Sequence, residues 1–183
     1  MSDRPTYKVE IAGIKREFPL FEVAPGVTIA IFNMLGDTRI VKAASAALAE
    51  KLEARHADVI VTAEAKAIPL AYELSALMGL PYVVLRKSYK SYMGDAVKAS
   101  THSITTGAEQ TLYLDEKDKL LIEGNWVILV DDVISTGSTL EGMKQVIELA
   151  QGKISTVAAV FSEGDTWKDS DVVVLGNLPV FID

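Results

Sequence analysis

From Asp37 onward the chain alternates between two periodicities, and this alternation limits its fold more than any other feature. "GDTRIVKAASAALAEKLEAR" sets Ile40, Val41, Ala44, Ala47, Leu48 and Leu52 at helical spacing behind Asp37, a side chain suited to cap a helix. A short apolar run, "DVIVT", follows. Next comes a second helical segment, "IPLAYELSALMG", with Pro69 near its start and Gly79 at its stop. "PYVVLRK", "QTLYL" and "WVILV" read as strands, with the charged turn "DEKDK" between the last two. "STLEGMKQVIELAQG" reads as a helix, and "ISTVAAVF" and "DVVVL" as two further strands. Strands that alternate with helices build a parallel sheet covered on both faces, so an α/β domain is expected. Ligands of such sheets bind beyond the carboxyl ends of the strands. That rule points to Thr62–Lys66, Arg86 onward, Asp131 onward and Ser162 onward, all polar or charged.

The first thirty residues read differently. "YKVEI", "REFPLFEV" and "VTIAIF" are strand-like and separated by turns at Gly13 and at Pro25–Gly26. Pro19 is expected to weaken the second of these strands or to place it at an edge. "KSYKSYMGDAVKASTHSITTG" shows no periodicity and many small polar residues. No repeat, low-complexity tract or linker divides the 183 residues, so one domain is expected over residues 1–183.

Bulk properties exclude several classes. A net charge of −7 opposes broad nucleic-acid binding, which needs a cationic footprint. No apolar run approaches the roughly 18–20 residues of a membrane span, and the polar start "MSDRPTYKVE" lacks a signal-peptide core. With no cysteine there is no disulfide or thiolate metal site, which suits a cytoplasmic protein. The two histidines, His56 and His102, lie far apart without partner ligands, so neither a histidine metal site nor a Ser-His-Asp triad is expected.

One stretch concentrates chemistry. In "VILVDDVISTGST" an apolar strand leads into Asp131 and Asp132, and a turn of small residues then runs into a helix. Such a turn offers backbone N–H groups and the positive end of the helix dipole to an anion. Gly137 lets the backbone approach a ligand, and Ser135, Thr136, Ser138 and Thr139 add hydroxyls. Neither a Walker A loop nor a dinucleotide fingerprint is present. Arg86, Lys87 and Lys90 put three cations into five residues of an acidic chain, a plausible local anion site.

The string resembles the phosphoribosyl-diphosphate signature of the type I phosphoribosyltransferases, and the chain resembles the adenine-type purine branch along nearly its whole length. By this resemblance, Asp131 and Asp132 face the ribose 2′- and 3′-hydroxyls and a hydrated Mg²⁺. The loop Ser135–Thr139 holds the 5′-phosphate. Glu64, Ala65 and Lys66, in "TAEAKAI", contact pyrophosphate together with Arg86, Lys87, Lys90 and Tyr92. A mobile lid over roughly residues 88–106 excludes water. A small N-terminal β hood, roughly residues 1–35, covers the base above a core of roughly residues 36–183. Base-binding candidates are Phe32 and Asn33 in the hood and Glu163, Asp165 and Trp167 in "FSEGDTWKD". Trp167 is a candidate to stack on the base, and Glu163 or Asp165 to accept from its amine or ring N–H.

The implied reaction joins a purine, adenine first, to phosphoribosyl diphosphate, giving a nucleoside monophosphate and pyrophosphate. Alternatives are xanthine, guanine or hypoxanthine as the base, or a non-catalytic regulator that senses phosphoribosyl diphosphate. Thr105 stands near the place where adenine-type enzymes often carry a lid glutamate, which leaves the general acid open. A homodimer is expected by the same resemblance.

Overall fold

A computed structural model describes residues 4–102, 109–167 and 170–182. In chain order its elements are β1 (Thr6–Ile11), β2 (Ile14–Ala24), β3 (Val27–Ala30), α1 (Thr38–Leu52), β4 (Val59–Ala63), α2 (Ile68–Met78) and β5 (Tyr82–Leu85). They continue with β6 (Val97–His102), β7 (Glu109–Leu114), α3 (Lys119–Ile122), β8 (Trp126–Ile134), α4 (Ser138–Leu149), β9 (Lys153–Glu163), β10 (Val173–Leu178) and β11 (Val180–Ile182).

The core is a five-stranded parallel sheet in the order β10-β9-β8-β4-β5, as the alternation demands. Side chains on successive residues of a strand leave opposite faces. Ile60, Ile128, Val130, Ala158 and Val160 therefore pack on one face with Leu48 and Leu52 of α1 and Leu70 and Leu74 of α2. Val61, Val127, Leu129, Val157 and Ala159 pack on the other with Met143, Val146 and Ile147 of α4. Each fully buried Leu, Ile, Val or Met contributes about 1.5–3 kcal/mol by leaving water. Asp37 caps α1, its Oδ1 accepting from the Ile40 N–H at 3.2 Å. Gly79 ends α2 in the left-handed conformation, with φ +67°.

The N-terminal sheet is antiparallel, in the order β1-β2-β3-β11. Ala12 and Gly13 both take positive φ in the two-residue turn between β1 and β2. The sheet closes with β11, from the far end of the chain, on β3. Local patterning over the first thirty residues gave no hint of that partner. Contrary to the edge placement expected from Pro19, β2 lies between β1 and β3. The missing N–H is tolerated because Pro19 stands opposite Thr6, the first residue of β1, where the ladder ends. Its carbonyl accepts from the Ile31 N–H at 2.9 Å.

The segment without periodicity also holds more order than expected, because β6 lies within it and pairs with β7 as an antiparallel hairpin. The hairpin packs on α4, and the side chains that β6 buries among the described residues, Ala99 and Thr101, are too small to mark a strand in the sequence. Thr105 and the turn of this hairpin lie outside the described residues. Among the described residues no helix is long and apolar enough to cross a membrane.

Candidate active site

The carboxyl ends of β9, β8, β4 and β5 lie side by side, and the strand order reverses at the β8–β4 pair, where open α/β sheets bind ligands. The chain β8 continues through both acids to Ile134, so Asp131 and Asp132 belong to the strand itself. Asp132 is 8 % exposed, and its Oδ2 is buried without a hydrogen-bond partner among the described residues. The Asp132 N–H donates to Asp131 Oδ1 at 2.8 Å. Burial first, and then the neighbouring Asp132, push the Asp131 carboxyl up to about 8, against the opposing pull of Lys87. Two crowded acids with an orphaned oxygen suit a diol or a cation. No group of three or more His, Cys, Asp or Glu side chains gathers among the described residues. The unpartnered Asp132 Oδ2 beside Asp131 fits a Mg²⁺ held largely by substrate and water, with one or two carboxylates from the protein.

Beyond β8 a cavity of ≈ 160 Å³ is lined by Asp131, Val133, Ile134, Ser135, Thr136, Gly137, Ser138, Thr139 and Leu140. Gly137 takes φ +83° and forms the N-cap of α4. Among the described residues no side chain caps this helix, which leaves first-turn N–H groups for an anion. The structure thus gathers all five expected loop residues around one small cavity.

At the ends of β4 and β5, Glu64 turns toward its neighbours. Its Oε2 lies 2.6 Å from Arg86 Nε, and its Oε1 accepts from the Lys87 N–H at 2.6 Å. The carboxylate raises the Arg86 pKa and holds the β5 terminus in place, so it serves the cations more directly than any anion. The Glu64–Ala65 peptide is cis. Ala65, Lys66, Lys87 and Lys90 are exposed, and the three lysines form no ion pair among the described residues. Arg86 also reaches the Tyr92 hydroxyl at 3.4 Å. Tyr92 is 70 % exposed and borders, with Tyr82, Arg86, Asp115 and Lys117, a separate cleft along β5.

On the base side the expectations are revised. Phe32 is 3 % exposed and packs against Phe18 and Phe161 at ring distances of 5.2 and 5.1 Å, so it is core and not lining. Asn33 is exposed, and its Oδ1 accepts from the Leu35 N–H at 3.1 Å, a local turn contact. Trp167 donates from Nε1 to the Ser135 carbonyl at 2.7 Å. Its ring lies against Gly137, so Trp167 braces the loop Ser135–Thr139. Glu163 accepts from the Ser135 hydroxyl. Asp165 is exposed and lines an open cleft of ≈ 560 Å³ with Ser135, Thr136, Glu163, Asn177 and Val180 among others.

Four residues went unnoticed in the sequence. Thr101 and Gln110, register partners in the β6–β7 hairpin, both touch the start of α4. Thr101 Oγ1 donates to the Ser138 carbonyl at 3.2 Å, and Thr139 Oγ1 donates to Gln110 Oε1 at 3.5 Å. Asn177 and Val180 join the cleft from β10 and β11. None belongs to a motif, and only strand pairing brings them in.

The phosphoribosyl transferase domain model matches residues 33–179. A hypoxanthine/guanine phosphoribosyltransferase of Methanotorris igneus is 32% identical over 151 residues, covering 81% of this chain and 74% of the relative. The purine biosynthesis transcriptional repressor PurR of Bacillus subtilis is 25% identical over 75% of this chain and 48% of its own. Among solved structures, an adenine phosphoribosyltransferase from Thermoanaerobacter pseudethanolicus superimposes with a TM-score of 0.69 at 22% identity, over 94% of this chain and 95% of that one. The chain belongs to the phosphoribosyl transferase domain family and is a type I phosphoribosyltransferase with the fold of the adenine enzymes.

Proposed function

We propose that the protein transfers a 5-phosphoribosyl group from phosphoribosyl diphosphate to a purine base, releasing pyrophosphate in a salvage reaction. The observation that carries this reading is the row of three features along one sheet end. A small cavity at the start of α4, a crowded acid pair on β8, and Arg86 and Lys87 tied to Glu64 at the ends of β4 and β5 follow one another in the order of a phosphate, a ribose and a pyrophosphate. The base nitrogen is itself the nucleophile, so the chain need supply none. Its task is to hold the sugar at both ends and keep the reacting carbon aligned. The loop Ser135–Thr139 grips the 5′-phosphate. Asp131 and Asp132 accept from the ribose hydroxyls and stabilise positive charge developing on the ring. Lys66, Lys87 and Lys90, with Arg86 held by Glu64, draw off the leaving charge. The hairpin β6–β7 is the base of the lid that closes over pyrophosphate and excludes water. Mg²⁺, when bound beside Asp131 and Asp132, supplies further charge neutralisation to the leaving pyrophosphate.

The base lies in the cleft shared by residues 163–166, β10 and β11. Adenine is the first candidate from the sequence resemblance. The Methanotorris relative favours a 6-oxopurine instead, and the N1–H of such a base suits a cleft bordered by Glu163 and Asp165. We place the protein in the cytoplasm as a homodimer, to be checked by light scattering.

The deciding assay is pyrophosphate release with phosphoribosyl diphosphate and Mg²⁺ against adenine, guanine, hypoxanthine, xanthine and uracil. Turnover with a purine supports the reading and names the substrate. Silence with all five, from protein that still binds phosphoribosyl diphosphate, would replace the enzyme with a sensor, a reading that the similarity to PurR keeps specific.

A further inference from the structure

We infer that Trp167 and Glu163 are positioning residues for the 5′-phosphate loop, and that Ser135 is the socket they hold. The inference rests on the phosphoribosyl reading of the site. Two contacts converge on Ser135. Its carbonyl accepts from Trp167 Nε1 at 2.7 Å, and its hydroxyl donates to Glu163 Oε2. A hydroxyl carries one proton, so while Ser135 donates to Glu163 it has none to give a phosphate. The hydroxyl donors left for the anion are those of Thr136, Ser138 and Thr139, beside the backbone N–H groups of the loop.

Trp167 also shapes the loop. A Cβ on Gly137 would stand 2.7 Å from Trp167 Cζ2. Gly137 is therefore required twice, by its φ of +83° and by the indole that fills the space of a side chain. The brace is itself anchored on β10. Asn177 Nδ2 donates to the Gly164 carbonyl at 2.6 Å and to Ser162 Oγ at 3.0 Å, and the Gly164 N–H donates to the Leu178 carbonyl at 2.9 Å. A continuous path of support thus runs from β10 through residues 162–167 to Ser135 and Gly137. The same residues wall the open cleft, so the proposed base site and the phosphate cavity share one structural element.

The test separates a brace from a base-stacking ring. Ribose 5-phosphate is titrated calorimetrically, without any base, into the wild-type protein and into Trp167→Phe, Glu163→Leu and Glu163→Gln. The purine KM of each is measured in parallel. Trp167→Phe removes the N–H donor, and Glu163→Leu the acceptor. Trp167→Phe is expected to weaken ribose 5-phosphate by about tenfold, the scale of one lost hydrogen bond at a positioned loop, and Glu163→Leu to weaken it by about threefold, because the lost anchor is partly offset by the freed Ser135 hydroxyl. Glu163→Gln keeps an acceptor and is expected to keep wild-type affinity. Wild-type ribose 5-phosphate affinity in both Trp167→Phe and Glu163→Leu overturns the inference, most directly if the purine KM of Trp167→Phe rises instead. Glu163→Gln as weak as Glu163→Leu overturns the hydrogen-bond role of Glu163. Failure of the wild-type protein to bind ribose 5-phosphate would sink the functional reading, and the brace with it.

Discussion

The small cavity proposed to hold the 5′-phosphate draws its lining from one stretch, Asp131 to Leu140, whereas the cleft beside it takes walls from Ser135 and Thr136, residues 163–166, β10 and β11. The first is a strand, a turn and a helix start in immediate succession. The second exists only because two sheets and two distant chain segments meet. A site built by local geometry announces itself in the order of its residues. A site built by packing is read only from the assembled fold. The two also depend on different forces, since the cavity relies on backbone N–H groups at a helix start, and the cleft on the pairing of β10 with β9, whose Phe161 joins the N-terminal sheet to the core through Phe18 and Phe32.

The largest expected effect strikes the base end. Phe161 is 1 % exposed and touches both Phe18 and Phe32, so Phe161→Ala should cost about 3–5 kcal/mol of stability, read from urea unfolding. Its purine KM should rise while ribose 5-phosphate binding by folded protein stays within about twofold. A loss in ribose 5-phosphate affinity as large as that in purine affinity would break the separation of the two ends.

The acids come next. Replacing Asp131 and Asp132 together by Asn should cut turnover at least ~100-fold, the scale of losing preorganised electrostatics. Near-normal turnover would refute their assigned role. Gly137→Ala should then cost about 1–2 kcal/mol through the left-handed backbone alone. It should also weaken ribose 5-phosphate through the clash with Trp167. An unchanged titration would show that the loop accommodates a side chain.

The smallest effect concerns the tie between the N-terminal sheet and α1, where Arg16 Nε lies 2.7 Å from Asp37 Oδ2. Arg16, through its hydrogen bond, holds the Asp37 carboxyl below its ordinary range. A depressed acid stabilises the fold above its unfolded pKa, near ~4, and that contribution fades as pH falls through the folded value. Arg16→Ala should therefore lose little stability at pH 7, since the pair is partly exposed, and still less once the pH has fallen through the folded pKa of Asp37. Equal losses at both pH values would assign the effect to packing of the arginine stem.

Much of the fold was legible because burial imposes a period. The helices α1, α2 and α4 and the five core strands follow from apolar spacing and from Asp37, Pro69 and Gly79 as stops and starts. Strand β6 was not legible, since Ala99 and Thr101 bury little surface and small residues carry a weak period. Phe32 was misread because an aromatic at a strand end looks the same whether it faces a ligand or Phe161. The contacts of Trp167 were not legible, because its partners, Ser135 and Gly137, lie about 30 residues away along the chain.

By itself the sequence determined the parallel core, the small-residue loop at its carboxyl end and the acid pair that precedes it. These depend on periodicity, on a glycine that can take positive φ, and on residues adjacent along one strand and turn. Only the tertiary structure decided that β11 closes the N-terminal sheet, that Glu64 clasps Arg86, and that Trp167 and Glu163 grip Ser135. Such pairings join residues separated by tens of positions, and no local propensity distinguishes the partner chosen from the others of its kind. Packing and hydrogen-bond satisfaction across the assembled sheets make that choice.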